Sequence, residues 1–163
     1  MRWHPREVEY RALQPATAMA DPEAPEIPSR PGDRIAWGNL RDGAASLAIA
    51  GAARQYAGLT LAIAPNPAAA YRLCRELEFF SSGELDVVTL PDWETLPYDA
   101  FSPHQDIVSD RLRTLHRLPT LQRGVLVVPI RTLLQRLAPP AFLAAHSLML
   151  SVGARFDAHG YRR

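Results

Sequence analysis

The apolar positions of this chain alternate between two kinds of run. Gly58-Leu-Thr-Leu-Ala-Ile-Ala-Pro65 is short, almost wholly apolar and bounded by glycine and proline, the pattern of a strand buried on both faces of a parallel sheet. Asp86-Val-Val-Thr-Leu90 and Val125-Leu-Val-Val128 repeat it, and Arg34-Ile-Ala-Trp37 is a shorter version nearer the start. Between these runs the apolar residues return at helical intervals. Gly43 to Tyr56 is rich in alanine, with Leu47, Ala50, Gly51 and Arg54 spaced for a helix. Asn66 and Pro67 cap and open a second helix whose apolar face draws on Tyr71, Leu73, Leu77 and Phe80, until Ser81-Ser-Gly83 breaks it. Ser102 as N-cap and Pro103 at the first helical position predict a third, with Ile107 or Val108, Leu112 and Leu115 on one side, and Ile130 to Leu137 a fourth. Strand and helix in alternation predict a doubly wound, mostly parallel α/β sheet with right-handed crossovers over residues 34–138.

The flanks read differently. Residues 1–33 hold Pro5, Pro15, Pro22, Pro25, Pro28 and Pro31 among alanines and mixed charges, too little apolar surface to offset the entropy of ordering, and a mobile leader is expected. From Pro139-Pro140 the rhythm changes, with a helical turn or two over Ala141 to His146 and a new strand over Leu148 to Val152.

The most specific stretch lies between the third strand and the third helix: Leu90-Pro-Asp-Trp-Glu-Thr-Leu-Pro-Tyr-Asp-Ala-Phe-Ser-Pro-His-Gln-Asp-Ile-Val-Ser-Asp-Arg-Leu112. Pro91, Pro97 and Pro103 each lock φ and push the preceding residue out of the α region, so the path is extended and turned in a defined way. Pro91, Asp92, Trp93, Glu94, Pro97, Tyr98, Asp99, Pro103, His104 and Asp106 together resemble the bacterial transcription-repair coupling factor family, in the first part of its UvrB-like amino-terminal module. The segments beginning at Arg111 and Gly124 resemble the family's next helix, strand and helix, and the match runs from about Asp33 to about Val152. The resemblance implies an amino-terminal fragment or truncated reading frame of a much longer protein, in which residues 139–163 begin the UvrA-interacting subdomain. It implies a full-length protein that uses ATP and magnesium in later, helicase-like domains to move on duplex DNA, displaces stalled RNA polymerase and recruits UvrA, in the bacterial cytoplasm. For this chain alone it leaves contacts with UvrA and with other domains of its parent chain.

A domain of this class invites a search for a phosphate cradle, and Gly38 and Gly43 stand at the Walker A interval. A working loop needs a lysine next, to reach the β and γ phosphates, then a hydroxyl to hold magnesium; this chain has Ala44 and Ala45. Ser46 comes one residue late, a rotation of about 100° on a helix. Resemblance sharpens the point, because the family's module is similar to the true P-loop protein UvrB with its nucleotide site decayed. No ATP hydrolysis, no catalytic residue and no cofactor are expected here. Arg41 and the helix N-terminus retain at most a weak attraction for an anion.

Composition narrows the alternatives. Among 163 residues, 47% are hydrophobic, enough for one buried core, and the net charge of +1 gives no global field for nucleic acid. All 18 basic residues counted as Lys+Arg are arginine, so no chemistry here uses a lysine amine. Cys74 is the single cysteine, which excludes an intrachain disulfide and a thiolate metal cluster, and it reads as helix packing. The first residues lack a secretory apolar region, no run is long enough to cross a bilayer, and the histidines show no metal spacing.

Asp92, Glu94 and Asp99 lie close enough to be paired carboxylates, but between prolines they are more simply turn formers, with Trp93 and Tyr98 burying their rings against the sheet. The segment nevertheless sits beyond the carboxyl end of a strand, where ligands and partners bind in this fold class. Arg111, Arg113 and Arg117 form a locally basic stretch and are the candidate contacts to nucleic acid or a partner; the plainer reading is a solvated helix face with Asp110 and Arg113 paired. The rival functions are an active ATP-dependent UvrB-like or helicase-like repair domain and a small arginine-rich DNA-binding domain.

Overall fold

A computed structural model describes residues 21–95, Ala100 and residues 102–146. Its ordered elements are α1 (Gly43–Gln55), β1 (Leu59–Ala64), α2 (Pro67–Ser81), β2 (Val87–Thr89), α3 (Gln105–Arg117) with a 3₁₀ turn over Leu118–Thr120, β3 (Gly124–Pro129), α4 (Ile130–Leu133) and α5 (Pro140–His146). The three strands form one parallel sheet in the order β1-β3-β2. β3, the last in sequence, is therefore central, and all six of its residues are buried.

Alternation of side chains along each strand sends one set to each face. Ala62, Ala64, Val125 and Val127 meet Ala50 and Ala53 of α1 and Ala70 and Leu77 of α2. Leu126, Val128 and Leu90 meet Leu115 and Leu118 at the end of α3. Helices thus cover both faces, as the alternating pattern predicts. Alanine is what lets α1 lie so close, since Ala48, Ala50 and Ala53 have no exposed surface at all.

The predicted second helix start is met in detail: the Asn66 side chain accepts from Ala69 N at 2.8 Å with Pro67 in the first turn. It ends on Ser82 in the left-handed region, followed by Gly83 at φ +82°. The third helix starts later than expected. His104, not Ser102, is its N-cap, with Nδ1 accepting from Asp106 N at 3.3 Å. The fourth is shorter: it stops at Leu133 because the chain turns through Leu134, and the Gln135 side chain reaches back to donate to Asp92.

Two more expectations change. Among the described residues Arg34–Trp37 joins no ladder, and a single bridged residue, Gly38, follows it. Residues 1–20 lie outside the described residues, but 21–33, which composition gives no means of ordering, lie along α1 as a strap. Pro25 is fully buried, its carbonyl accepts from Gln55 Nε2 at 3.2 Å, and Trp37 Nε1 donates to Glu26 O at 2.8 Å. The strap seats over Gly51, where an added Cβ would stand 3.0 Å from both Glu23 O and Pro25 Cδ.

Candidate functional site: the loop before the first helix and the Pro-Asp-Trp junction

The loop before α1 lacks the form of a phosphate cradle. Its left-handed residues are Asn39 and Asp42, at φ 59° and 48°, and neither Gly38 nor Gly43 uses the conformational freedom that glycine provides. The first helical amides are turned into the loop itself: Ala44 N donates to Arg41 O at 3.0 Å and Ala45 N to Asp42 O at 3.4 Å. Ser46 points inward, 2% exposed, and its hydroxyl donates to the Glu76 carboxylate of α2. That carboxylate, with Asp42, lines a cavity of about 350 Å³ beside the loop and disfavours an anion there. Arg72 at 3.9 Å from Glu76 is too distant and exposed to offset it strongly.

The Pro-Asp-Trp stretch is held by a residue of α3. Arg111 is 2% exposed, its guanidinium lies 4.1 Å from the centre of the Trp93 ring, and its Nη1 donates to Pro91 O. Burial lowers the Arg111 pKa, and the neighbouring Asp92 carboxylate acts the other way. Asp92 is itself buried and accepts from Gln135 Nε2. One cluster therefore ties the exit of β2 to α3 and to the turn after α4. A second tie lies next to it, where Thr114 Oγ1 donates to Thr89 O at 2.7 Å.

The other site residues are placed as follows. Asp92, Trp93 and Arg111 come together, whereas Glu94 is exposed at φ 60°. Pro97, Tyr98 and Asp99 lie outside the described residues. Pro103 is half-buried, and His104 and Asp106 form the exposed start of α3. Arg113 is exposed and paired with Asp110 at 2.5 Å, the intrahelical pair that its spacing predicts. Arg117 is paired with Asp86. The three arginines therefore do not form one free basic stripe. The burial of Arg111 had a signal in the sequence: Ile107, Arg111 and Leu115 stand four apart, placing the arginine on the apolar side of the helix.

Cys74 is half-buried against the core, and burial raises its pKa, with a hydrogen bond to Thr89 acting in the opposite direction. Among the described residues no three His, Cys, Asp or Glu side chains gather as metal ligands, and no helix is long and apolar enough to cross a membrane.

No family model matches the chain. Individual proteins do. It is 44% identical over 145 residues to the transcription-repair-coupling factor of Escherichia coli K12, covering 83% of this chain and 12% of that protein. It is 43% identical over 147 residues to that of Haemophilus influenzae, covering 85% and 13%, and 31% identical over 134 residues to that of Myxococcus xanthus, covering 78% and 11%. The chain thus spans about one-eighth of the length of the relatives it matches. With such identity across most of its residues, and the Pro-Asp-Trp junction built as described, the chain belongs to the transcription-repair-coupling factor family.

Proposed function

We propose that this chain is a non-catalytic α/β platform within transcription-coupled nucleotide excision repair, related to the first domain of UvrB, with a phosphate loop that no longer takes nucleotide. The observation that carries the reading is the loop itself. Ala44 and Ala45 supply neither cation nor hydroxyl, the first amides bond to the loop's own carbonyls, and Ser46 is committed to Glu76. In a full-length member, the ATP-driven movement on duplex DNA and the displacement of RNA polymerase belong to other domains, which hold the ATP and magnesium. This part contributes contacts to UvrA and to the rest of its own protein, in the bacterial cytoplasm.

Calorimetric titration of the 163-residue chain with magnesium ATP and magnesium ADP tests the reading. No saturable binding is expected up to millimolar nucleotide, about −4 kcal/mol in affinity. The double variant Ala44→Lys, Ala45→Thr is expected to stay inactive, because Glu76 and Asp42 still face the loop. Tight uptake or turnover by the unmodified chain overturns the proposal and favours the working repair domain. Duplex DNA binding that falls steeply with salt favours instead the arginine-rich binder. The pairing of Arg113 and Arg117 and the burial of Arg111 weigh against that outcome.

A further inference from the structure

The outer face of α2 carries large aromatic side chains where a surface helix ordinarily shows polar ones. Tyr71 and Phe79 are 71% and 76% exposed, while Leu77 on the opposite face is wholly buried. Phe79 has a fixed neighbour: its ring meets that of Phe80 edge to face at 5.2 Å, and Phe80 packs against the core. A stiff exposed aromatic loses little freedom on being covered, which suits it to an interface. Between the two rings stand Arg72, Arg75 and Glu78, all exposed. Their ion pairs within the helix are loose, Arg72 with Glu76 at 3.9 Å and Arg75 with Glu78 at 4.0 Å, so these charges stay open to other partners.

The stripe has the same spacing read from either end. Counted from Arg75, Arg72 and Glu78 stand three residues away and Tyr71 and Phe79 four. At about 100° per residue, Phe79 and Arg72 fall on one side of the line through Arg75, and Tyr71 and Glu78 on the other. When a second copy is turned end for end about a two-fold axis at Arg75, each side meets the same side reversed. Phe79 then comes within about 1.5 Å of the level of Arg72 in the second copy, a guanidinium over an aromatic face. Tyr71 comes equally level with Glu78, a phenol hydroxyl that can donate to a carboxylate. Both pairings occur twice, as an isologous interface requires. The centre alone opposes the arrangement, because two Arg75 guanidiniums approach there. Each keeps its own Glu78 and has a long stem that carries its charge toward the rim.

We infer that α2 pairs antiparallel with α2 of a second copy of this chain, with Tyr71, Arg72, Glu78 and Phe79 making the complementary contacts around Arg75. One helix against one helix covers less than the roughly 1,200 Å² of a stable complex, so the dimer is weak, with a dissociation constant on the order of 100 μM. Nucleic acid fits this face poorly, since Glu76 and Glu78 offset its two arginines. The inference is independent of the nucleotide reading.

Sedimentation equilibrium of the 163-residue chain from about 10 μM to about 1 mM is expected to show a reversible monomer–dimer equilibrium. Phe79→Ser and Arg72→Gln, with circular dichroism unchanged, are each expected to weaken it about tenfold. Arg75→Gln is expected to strengthen it about threefold, because two like charges leave the axis. Cross-linking in the Cys74→Ala chain reads the axis directly. Under mild oxidation Arg75→Cys is expected to give a disulfide-linked dimer, since helices packed about 9 Å apart bring facing Cα atoms within bridging range. Ala68→Cys is expected to give none, because the symmetry sets its two copies about 21 Å apart along the helix. Three results overturn the inference: the chain stays monomeric throughout, which leaves this face to a different protein; Phe79→Ser dimerises as the parent does; or the two cysteine variants cross-link equally.

Discussion

Arg111 shows how much one side chain organises. It lies flat on Trp93, donates to the carbonyl of Pro91 and keeps a buried carboxylate, Asp92, in favourable company. Arg111→Ala strands that carboxylate and removes the floor under the indole ring, and is expected to cost about 3 kcal/mol in urea unfolding. Arg113→Ala, at a surface pair, is expected to cost about 0.5 kcal/mol, so the ratio separates the two roles of neighbouring arginines. Cys74 makes a pH prediction. Burial raises its thiol pKa above the ordinary thiol range, so the folded chain holds the proton to higher pH than the unfolded chain does. Stability from this residue is therefore constant below about pH 9 and falls as pH rises from the unfolded toward the folded pKa. Comparing unfolding of the chain and of Cys74→Ala at pH 7.5 and pH 10 checks it: the alkaline loss is expected to be smaller in the variant.

At the level of elements, the strap on α1 makes a prediction whose sign decides the matter. Gly51→Ala in a free helix stabilises by about 1 kcal/mol through backbone entropy. Here the new methyl meets Glu23 O and Pro25 Cδ, so the strap must lift. Trypsin is then expected to cut after Arg34, at the end of the strap, faster than in the parent chain, read by mass spectrometry, and the helix gain to be cancelled. Elements with a strong local period were legible beforehand: β1 and β3 as apolar runs, α2 by its Asn66-Pro67 start and its Ser-Gly stop. What escaped depended on partners distant in sequence. Pro25 is buried by α1, and the short α4 is set by Gln135 reaching Asp92, 43 residues away. The place of Arg111 on the apolar stripe was readable, but its partner Trp93 lies on an extended segment whose fold no periodicity dictates.

For the molecule as a whole, the identity of Ala44 and Ala45 after Gly43 was readable in the sequence. The bond from Ser46 to Glu76 was not, since Glu76 reaches Ser46 only once α1 and α2 have packed. The same holds for the sheet: four strands were expected over residues 34–138, and among the described residues three are in ladders, while the run at 34–37 is followed by one bridged residue, Gly38. The strand order β1-β3-β2 has a consequence for biosynthesis. Among the described strands, neither flanking one has a ladder partner until the central one has left the ribosome, so Leu61 and Val87 wait without that partner until residues 124–129 emerge. The three-stranded ladder then closes at a tight joint, where Gly124 stands so near Asp86 that an added methyl group would overlap its carbonyl oxygen. Nascent chains paused before that glycine are the ones a chaperone has most reason to hold.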